Sequence, residues 1–172
     1  MADFDLSVEE LRLVACFVAD AAEPLIPYYE SAHPDDRRPR AAVAAARAFV
    51  AGDPRGRRQR AASMDAHRAA AEAGTESARL AAQAAGDAAS AAYLHPIAAS
   101  HQLGHILRAD ANAARIAEIV DGPSAAERVL ELACRRAGPG LVDVLRRYPP
   151  PTSASSRTAQ LISALDGALR SQ

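Results

Sequence analysis

The sequence predicts an all-α fold, a compact bundle of about seven to nine helices around an alanine-rich core. Alanine, the strongest intrinsic helix former, accounts for 44 of the 172 residues. Residues that favour strands are scarce, since the chain has three Phe, four Tyr and no Trp. Apolar residues recur at helical spacing between short polar turns, which is typical of antiparallel neighbours in a bundle. Such a core forms where helix backbones approach closely over small side chains.

The first half of the chain predicts long, clearly bounded helices. Ser7 and Glu10 fit a capping box, and the periodicity that follows predicts a helix to about Glu23. Pro24 and Pro27 end or kink this helix before it resumes through residues 28–30. Gly-rich or Pro-containing turns at 52–56 and at Gly74 then separate three further predicted helices, at about 38–51, 57–73 and 76–93.

The second half predicts shorter and more interrupted helices. One spans about 97–110, after the break at His95-Pro96, and continues or restarts through residue 120. The next helix ends near Arg136, and a short helix after the break at 138–140 ends near Arg147. We therefore expect a helical domain over 1–148, a Pro/Ser linker over 149–156, and a C-terminal helix within 157–172 that packs on the same domain.

Composition excludes several classes of function. A formal net charge of −1 argues against a generic binder of nucleic acid or of an anionic membrane surface. The chain has no window of about 20 apolar residues and no secretion signal, so we expect a cytoplasmic protein without a membrane partner. Its two cysteines are expected to be free thiols. No nucleophile elbow, phosphate-cradling loop or dinucleotide motif occurs, and we expect no cofactor.

Charge is distributed unevenly along the chain. Residues 1–36 contain nine acids and one arginine, whereas residues 37–60 contain eight arginines and one acid. The favoured interpretation is that the acidic first helix docks within the monomer against the basic helices at 38–51 and 57–73. The alternative is that one of these blocks faces a partner.

Asp36, Arg38 and Arg40 lie at the predicted start of the helix at 38–51. Arginines at a helix N-terminus bind anions or carboxylates in a bidentate manner. The favoured alternative is local, because Asp36 is a suitable acceptor for amides of the first turn and Pro39 stands where a missing N–H costs little. The arginines would then pair with the acidic first helix.

His101 and His105 are four residues apart, which on a helix places both imidazoles on one face at metal-ligand spacing. No second paired motif supplies the remaining ligands, and Arg108 one turn away disfavours a cation. We therefore predict no metal site, and interpret the pair as solvent-facing or hydrogen-bonded histidines.

Over roughly residues 10–147 the chain resembles the immunity-protein family encoded beside bacterial polymorphic toxins, in the immunity-protein-five-like group. The most specific part of the resemblance is Asp36-Arg37-Arg38-Pro39-Arg40 with the helix through Phe49. The other segments that carry it are 22–27, 66–70, the alanine-rich helix around Gly86, and 101–104. The resemblance implies a small cytoplasmic helical protein that neutralises a toxin by binding it.

Our interpretation is a binding protein with a protein partner, in which the acidic block of residues 1–36 contacts a basic surface. The alternative is a small helical enzyme of a biosynthetic cluster, with Asp36, Arg38, Arg40, His101 and His105 around a pocket for a small molecule. Convergence of these five residues on one cavity would favour the enzyme. A homodimer through an alanine-rich face is a third possibility.

Overall fold

The computed structural model describes residues 3–152 and 155–172, and over those ranges it contains helices, turns and loops but no β-strand. The predicted all-α fold is therefore confirmed. In the described residues we number nine helices: α1 Val8–Ala22, α2 Ile26–Glu30, α3 Arg38–Val50, α4 Arg57–Glu72, α5 Glu76–Ser90, α6 Leu103–Asp121, α7 Pro123–Arg136, α8 Pro139–Arg146 and α9 Arg157–Arg170. None of these helices combines the length and the hydropathy needed to span a bilayer.

Helix α5 lies at the centre of the bundle. It packs against α1, α2, α3, α4 and α6, and seven of its alanines are buried. Most of its circumference is apolar and covered by these neighbours, whereas Glu76 and Arg79 mark a flank that is exposed to solvent. Alanine contributes 25 of the 48 buried apolar residues described, so the prediction of an alanine-rich core is confirmed.

The start of α1 follows from its sequence. The Ser7 hydroxyl accepts a hydrogen bond from the Glu10 amide at 3.1 Å, and the Glu10 carboxylate accepts one from the Ser7 amide at 2.9 Å. The predicted capping box is thus confirmed. Helices α5 and α9 are capped in a similar way by the side chains of Thr75 and Ser156.

The start predicted for the helix at 97–110 was wrong. Residues 94–99 are not helical, a 3₁₀ turn covers 100–102, and α6 then runs unbroken from Leu103 to Asp121. The N-terminal segment explains the difference, because the Asp3 carboxylate accepts from the Ala98 amide at 2.7 Å and the Asp3 amide donates to the Pro96 carbonyl at 2.8 Å. The bond to the Pro96 carbonyl occupies the acceptor that a helix beginning at 97 would need for its first intrahelical hydrogen bond.

Helix α9 packs against α6, α7 and α8, and buries Leu161, Leu165 and Leu169. The predicted linker over 149–156 is non-helical at 149–152 and at 155–156. Residues 153 and 154, which belong to the same predicted linker, lie outside the described residues.

The acidic N-terminal block docks against α3, as the favoured interpretation predicts. Arg47 of α3 donates to Asp20 at 2.7 Å and to Glu23 at 2.6 Å. Glu30 accepts two hydrogen bonds from Arg40, at 2.7 and 2.6 Å. The block is therefore largely neutralised inside the chain rather than presented as a free acidic surface. The arginines that begin α4 make no such pairs within the described residues.

Candidate functional site

Asp36 and Arg38 form a clamp at the start of α3. The Asp36 carboxylate accepts from the Arg38 amide at 3.0 Å, from the Arg38 guanidinium at 2.7 Å, and from the Tyr29 hydroxyl at 2.6 Å. The Arg38 guanidinium holds the pKa of Asp36 well below its usual range. Burial and the neighbouring carboxylate raise the pKa of Tyr29 to about 12. Arg38 also reaches Glu72 at the end of α4, so the clamp ties α2, α3 and α4 together.

Arg40 lies on the exposed side of the same helix. Its Nε and Nη2 groups both donate to Glu30, which also accepts from Arg37 at 3.2 Å. The hydrogen bonds from Arg40 lower the pKa of Glu30. Capping by Asp36 and pairing of Arg37 and Arg40 with Glu30 agree with the favoured local interpretation, whereas the contact of Arg38 with Glu72 of α4 was not part of it.

His101 and His105 lie on different kinds of backbone, the first in the 3₁₀ turn and the second in α6. His101 is exposed, with Nε2 2.8 Å from the Gln102 side-chain nitrogen. His105 is partly buried beside Ser90, with Nδ1 3.5 Å from Oγ, and burial lowers its pKa. The described residues contain no cluster of three or more His, Cys, Asp or Glu side chains arranged for a metal ion.

The structure does not bring the five predicted residues together. In the described parts of the chain, no hydrogen bond or ion pair joins Asp36, Arg38 or Arg40 to either histidine. His101 lines a cavity of about 230 Å³ next to Pro151 and Thr152. Asp36, Arg38 and Arg40 line neither that cavity nor either of the two larger cavities.

A buried carboxylate that the sequence analysis missed lies near His105. Asp87 of α5 has no exposed surface and accepts two hydrogen bonds from Arg108 of α6, at 2.7 and 2.5 Å. His67 of α4 approaches Asp87 to 3.6 Å, and burial lowers the pKa of His67. A Cβ at Gly86 would stand 2.8 Å from His67 Nε2, so this histidine requires glycine at position 86. Asp87 is the one acid in the alanine-rich part of α5, residues 78–90, and this isolated charge is the signal that the sequence offered.

A second buried ion pair links α6 to α7. Asp110 is 1% exposed and accepts from Arg136 at 2.8 and 2.9 Å. The Arg136 guanidinium also lies 4.5 Å from the centroid of the Phe17 ring and donates to the Phe17 carbonyl at 3.2 Å. Burial raises the pKa of Asp110 to about 6, although the arginine opposes that change.

This ion pair lies in an apolar cleft of about 310 Å³ between the α1–α2 region and the α6–α7 pair, which we call the α1–α6 cleft. Two of its large apolar side chains remain accessible to solvent, Leu132 at 55% and Tyr28 at 37%. The apolar walls of the cleft are formed by Ala21, Pro24, Leu25, Tyr28, Ala113, Ile116, Ala117, Val129 and Leu132. Pockets of this size with mostly apolar walls are the usual location of binding sites.

Three aspartates line the α1–α6 cleft together with Arg136. Asp20 pairs with Arg47 and Asp110 pairs with Arg136, so Asp121 is the lining carboxylate that forms no ion pair within the described residues. A smaller cavity of about 80 Å³ continues past Asp20 and Arg136 to Leu13, another exposed apolar residue. This arrangement suits an apolar group with a positive charge beside it. Sequence reasoning missed the cleft because its walls come from helices about 90 to 110 positions apart.

The comparisons with known proteins give a family and nothing closer. The family described as "Imm-5 like putative immunity protein" matches residues 5–131, which include α1 to α6 and the first part of α7. No curated protein and no solved structure matches the chain. The matched residues contain most of the walls of the α1–α6 cleft and the segments on which the resemblance was based. The chain therefore belongs to the family of Imm-5 like putative immunity proteins.

Proposed function

We propose that this protein neutralises a protein toxin by binding it directly, and that the α1–α6 cleft is the contact surface. The observation that carries the proposal is an open apolar cleft, lined by the exposed carboxylate of Asp121, in a member of an immunity-protein family. The family supplies the class of function. The cleft supplies a surface with the shape and charge that such binding needs.

The partner that fits the cleft presents an apolar side chain flanked by basic groups. Leu132 exposes about half of its surface, and covering that half contributes on the order of 1 kcal/mol. Tyr28, which is 37% exposed in the same cleft, is of a residue type that is enriched among those that dominate binding energy. The exposed carboxylate of Asp121 adds selectivity for a basic group of the partner.

The enzymatic alternative requires one pocket shared by the five predicted residues. Those residues form two groups with separate contacts, and only His101 lines a cavity of about 200 Å³ or more. We therefore favour binding. Participation of Asp36, Arg38, Arg40, His101 and His105 in partner contact stays a prediction, as do a homodimer and a cytoplasmic location.

The test uses the purified product of the neighbouring gene as the candidate toxin. Leu132→Arg places a bulky cation in the cleft, and we expect it to weaken binding measured by isothermal titration calorimetry about tenfold or more. Met64→Arg is the matched control, because Met64 is 51% exposed on α4 and lies outside the cleft. Its affinity should equal that of the unmodified protein.

Two results would count against the proposal. Absence of any interaction with the neighbouring gene product would contradict direct neutralisation of that protein. Equal losses of affinity in Leu132→Arg and Met64→Arg would show that the cleft is not the contact surface.

A further inference from the structure

Four arginines at the start of α4 form an exposed group that we call the basic patch: Arg55, Arg57, Arg58 and Arg60. None of them forms an ion pair with a described carboxylate. Thirteen of the other sixteen arginines do form such a pair. Pairing inside the chain is therefore the rule for arginine in this protein, and the basic patch is the local exception.

The patch is held in place by an aromatic ring. The guanidinium carbons of Arg60 and Arg55 lie 4.7 and 5.8 Å from the centroid of Tyr93. The Tyr93 hydroxyl donates to the Gly56 carbonyl at 2.6 Å, which fixes the ring beside the residue that precedes α4. Cation–π contact orders these two side chains while leaving guanidinium donors available to a partner.

Folding alone does not account for the basic patch. Arg57, Arg58 and Arg60 occupy the first turn of α4, where the positive end of the helix dipole disfavours cations. Arg57 and Arg60 are also three residues apart, so like charges face each other. A charge arrangement that opposes the local stability of a helix is expected where it serves binding.

We infer that the basic patch binds a carboxylate-rich surface of a protein, separately from the α1–α6 cleft. Guanidinium groups pair with carboxylates in bidentate fashion, and four unpaired ones within six residues offer several such contacts. The patch is cationic, whereas the cleft is mostly apolar with the unpaired carboxylate of Asp121, so the two suit surfaces of different chemistry.

Nucleic acid is the less suitable ligand for this surface. The chain as a whole has a net charge of −1, which opposes the long-range attraction on which phosphate-backbone binding depends. Single strands also require free aromatic faces on which bases stack. Tyr93, the aromatic residue of the patch, already contacts two of its own arginines.

The test compares two double variants that change the net charge equally. Arg57→Glu with Arg58→Glu changes the formal charge of the patch from +4 to 0. Arg79→Glu with Arg128→Glu reverses two exposed arginines outside the patch that also lack ion pairs with described carboxylates. The probes are a fluorescein-labelled glutamate-rich peptide and a labelled single-stranded oligonucleotide of equal charge. Binding is followed by fluorescence anisotropy at low and at physiological ionic strength.

We expect the peptide to bind the unmodified protein, and added salt to weaken that binding. The Arg57→Glu/Arg58→Glu variant should bind the peptide about tenfold more weakly, and the Arg79→Glu/Arg128→Glu control should change the affinity less than about twofold. The patch variant should also melt at a higher temperature, since glutamates in the first turn of α4 complement the helix dipole, so a loss of binding is not a loss of fold. Failure of the peptide to bind, tighter binding of the oligonucleotide, or equal losses in both double variants would overturn the inference.

Discussion

The buried carboxyl of Asp110, in the α1–α6 cleft, predicts the direction in which the free energy of unfolding changes with pH. Burial raises its pKa from 3.8 to about 6. Between about pH 4 and pH 6 the Asp110 carboxyl is therefore protonated in the folded chain but ionised in the unfolded chain. The folded state therefore binds more protons in this window, and the stability linked to Asp110 is complete below about pH 4 and falls as the pH rises toward 6. At about 1.36 kcal/mol for each pKa unit, the rise from 3.8 to about 6 corresponds to about 3 kcal/mol in the free energy of unfolding.

Asp110→Asn removes the titration while keeping the shape of the side chain and an oxygen that accepts from Arg136. We expect the free energy of unfolding of the unmodified protein to fall by about 3 kcal/mol relative to the variant between pH 4 and pH 7. Urea unfolding of both proteins at several pH values, followed by circular dichroism, gives the difference directly. Because other titrating groups are common to both proteins, they cancel in the comparison.

A difference that stays constant with pH would show that burial does not perturb the Asp110 carboxyl. A difference of opposite sign, with the unmodified protein gaining stability as pH rises, would show that attraction to Arg136 outweighs burial. Either result would refute this account of the buried pair.

Two further predictions concern the contacts between α4, α5 and α6. Asp87→Ala leaves Arg108 without its buried partner and should lower the free energy of unfolding, measured in urea, by about 3 kcal/mol. The control Asp65→Ala removes an exposed ion pair and should change that free energy by less than about 0.5 kcal/mol. Equal effects of the two substitutions would contradict the assigned role of Asp87. Gly86→Ala should displace the His67 ring toward solvent and raise its pKa toward the ordinary value in an NMR titration, and an unchanged pKa would show that the close approach is not required.

Much of the fold was predictable because local signals and the final structure agree. The capping box at Ser7, the prolines at 24 and 27 and the turn at 52–56 set helix ends through interactions of neighbouring residues. The helix predicted to begin at 97 failed because Asp3, about 95 positions away, binds the backbone of the loop. A contact of that sequence separation leaves no periodic signal in the chain.

The candidate site was less predictable for the same physical reason. Capping by Asp36 is a local interaction, and it was foreseen. Asp87 is paired with Arg108 and Asp110 is paired with Arg136, 21 and 26 positions away in the sequence. These pairs form only because helix packing brings the partners together. The exposure of Leu132 likewise depends on how α7 is oriented against α1. The spacing of apolar residues within α7 does not specify that orientation.

The crystal structure of this protein bound to the product of the neighbouring gene tests the central claim most directly. We expect an apolar side chain of the partner to lie against Leu132 and Tyr28, with a basic group of the partner within hydrogen-bond distance of Asp121 or Asp20. A complex in which the α1–α6 cleft remains open to solvent would contradict the account.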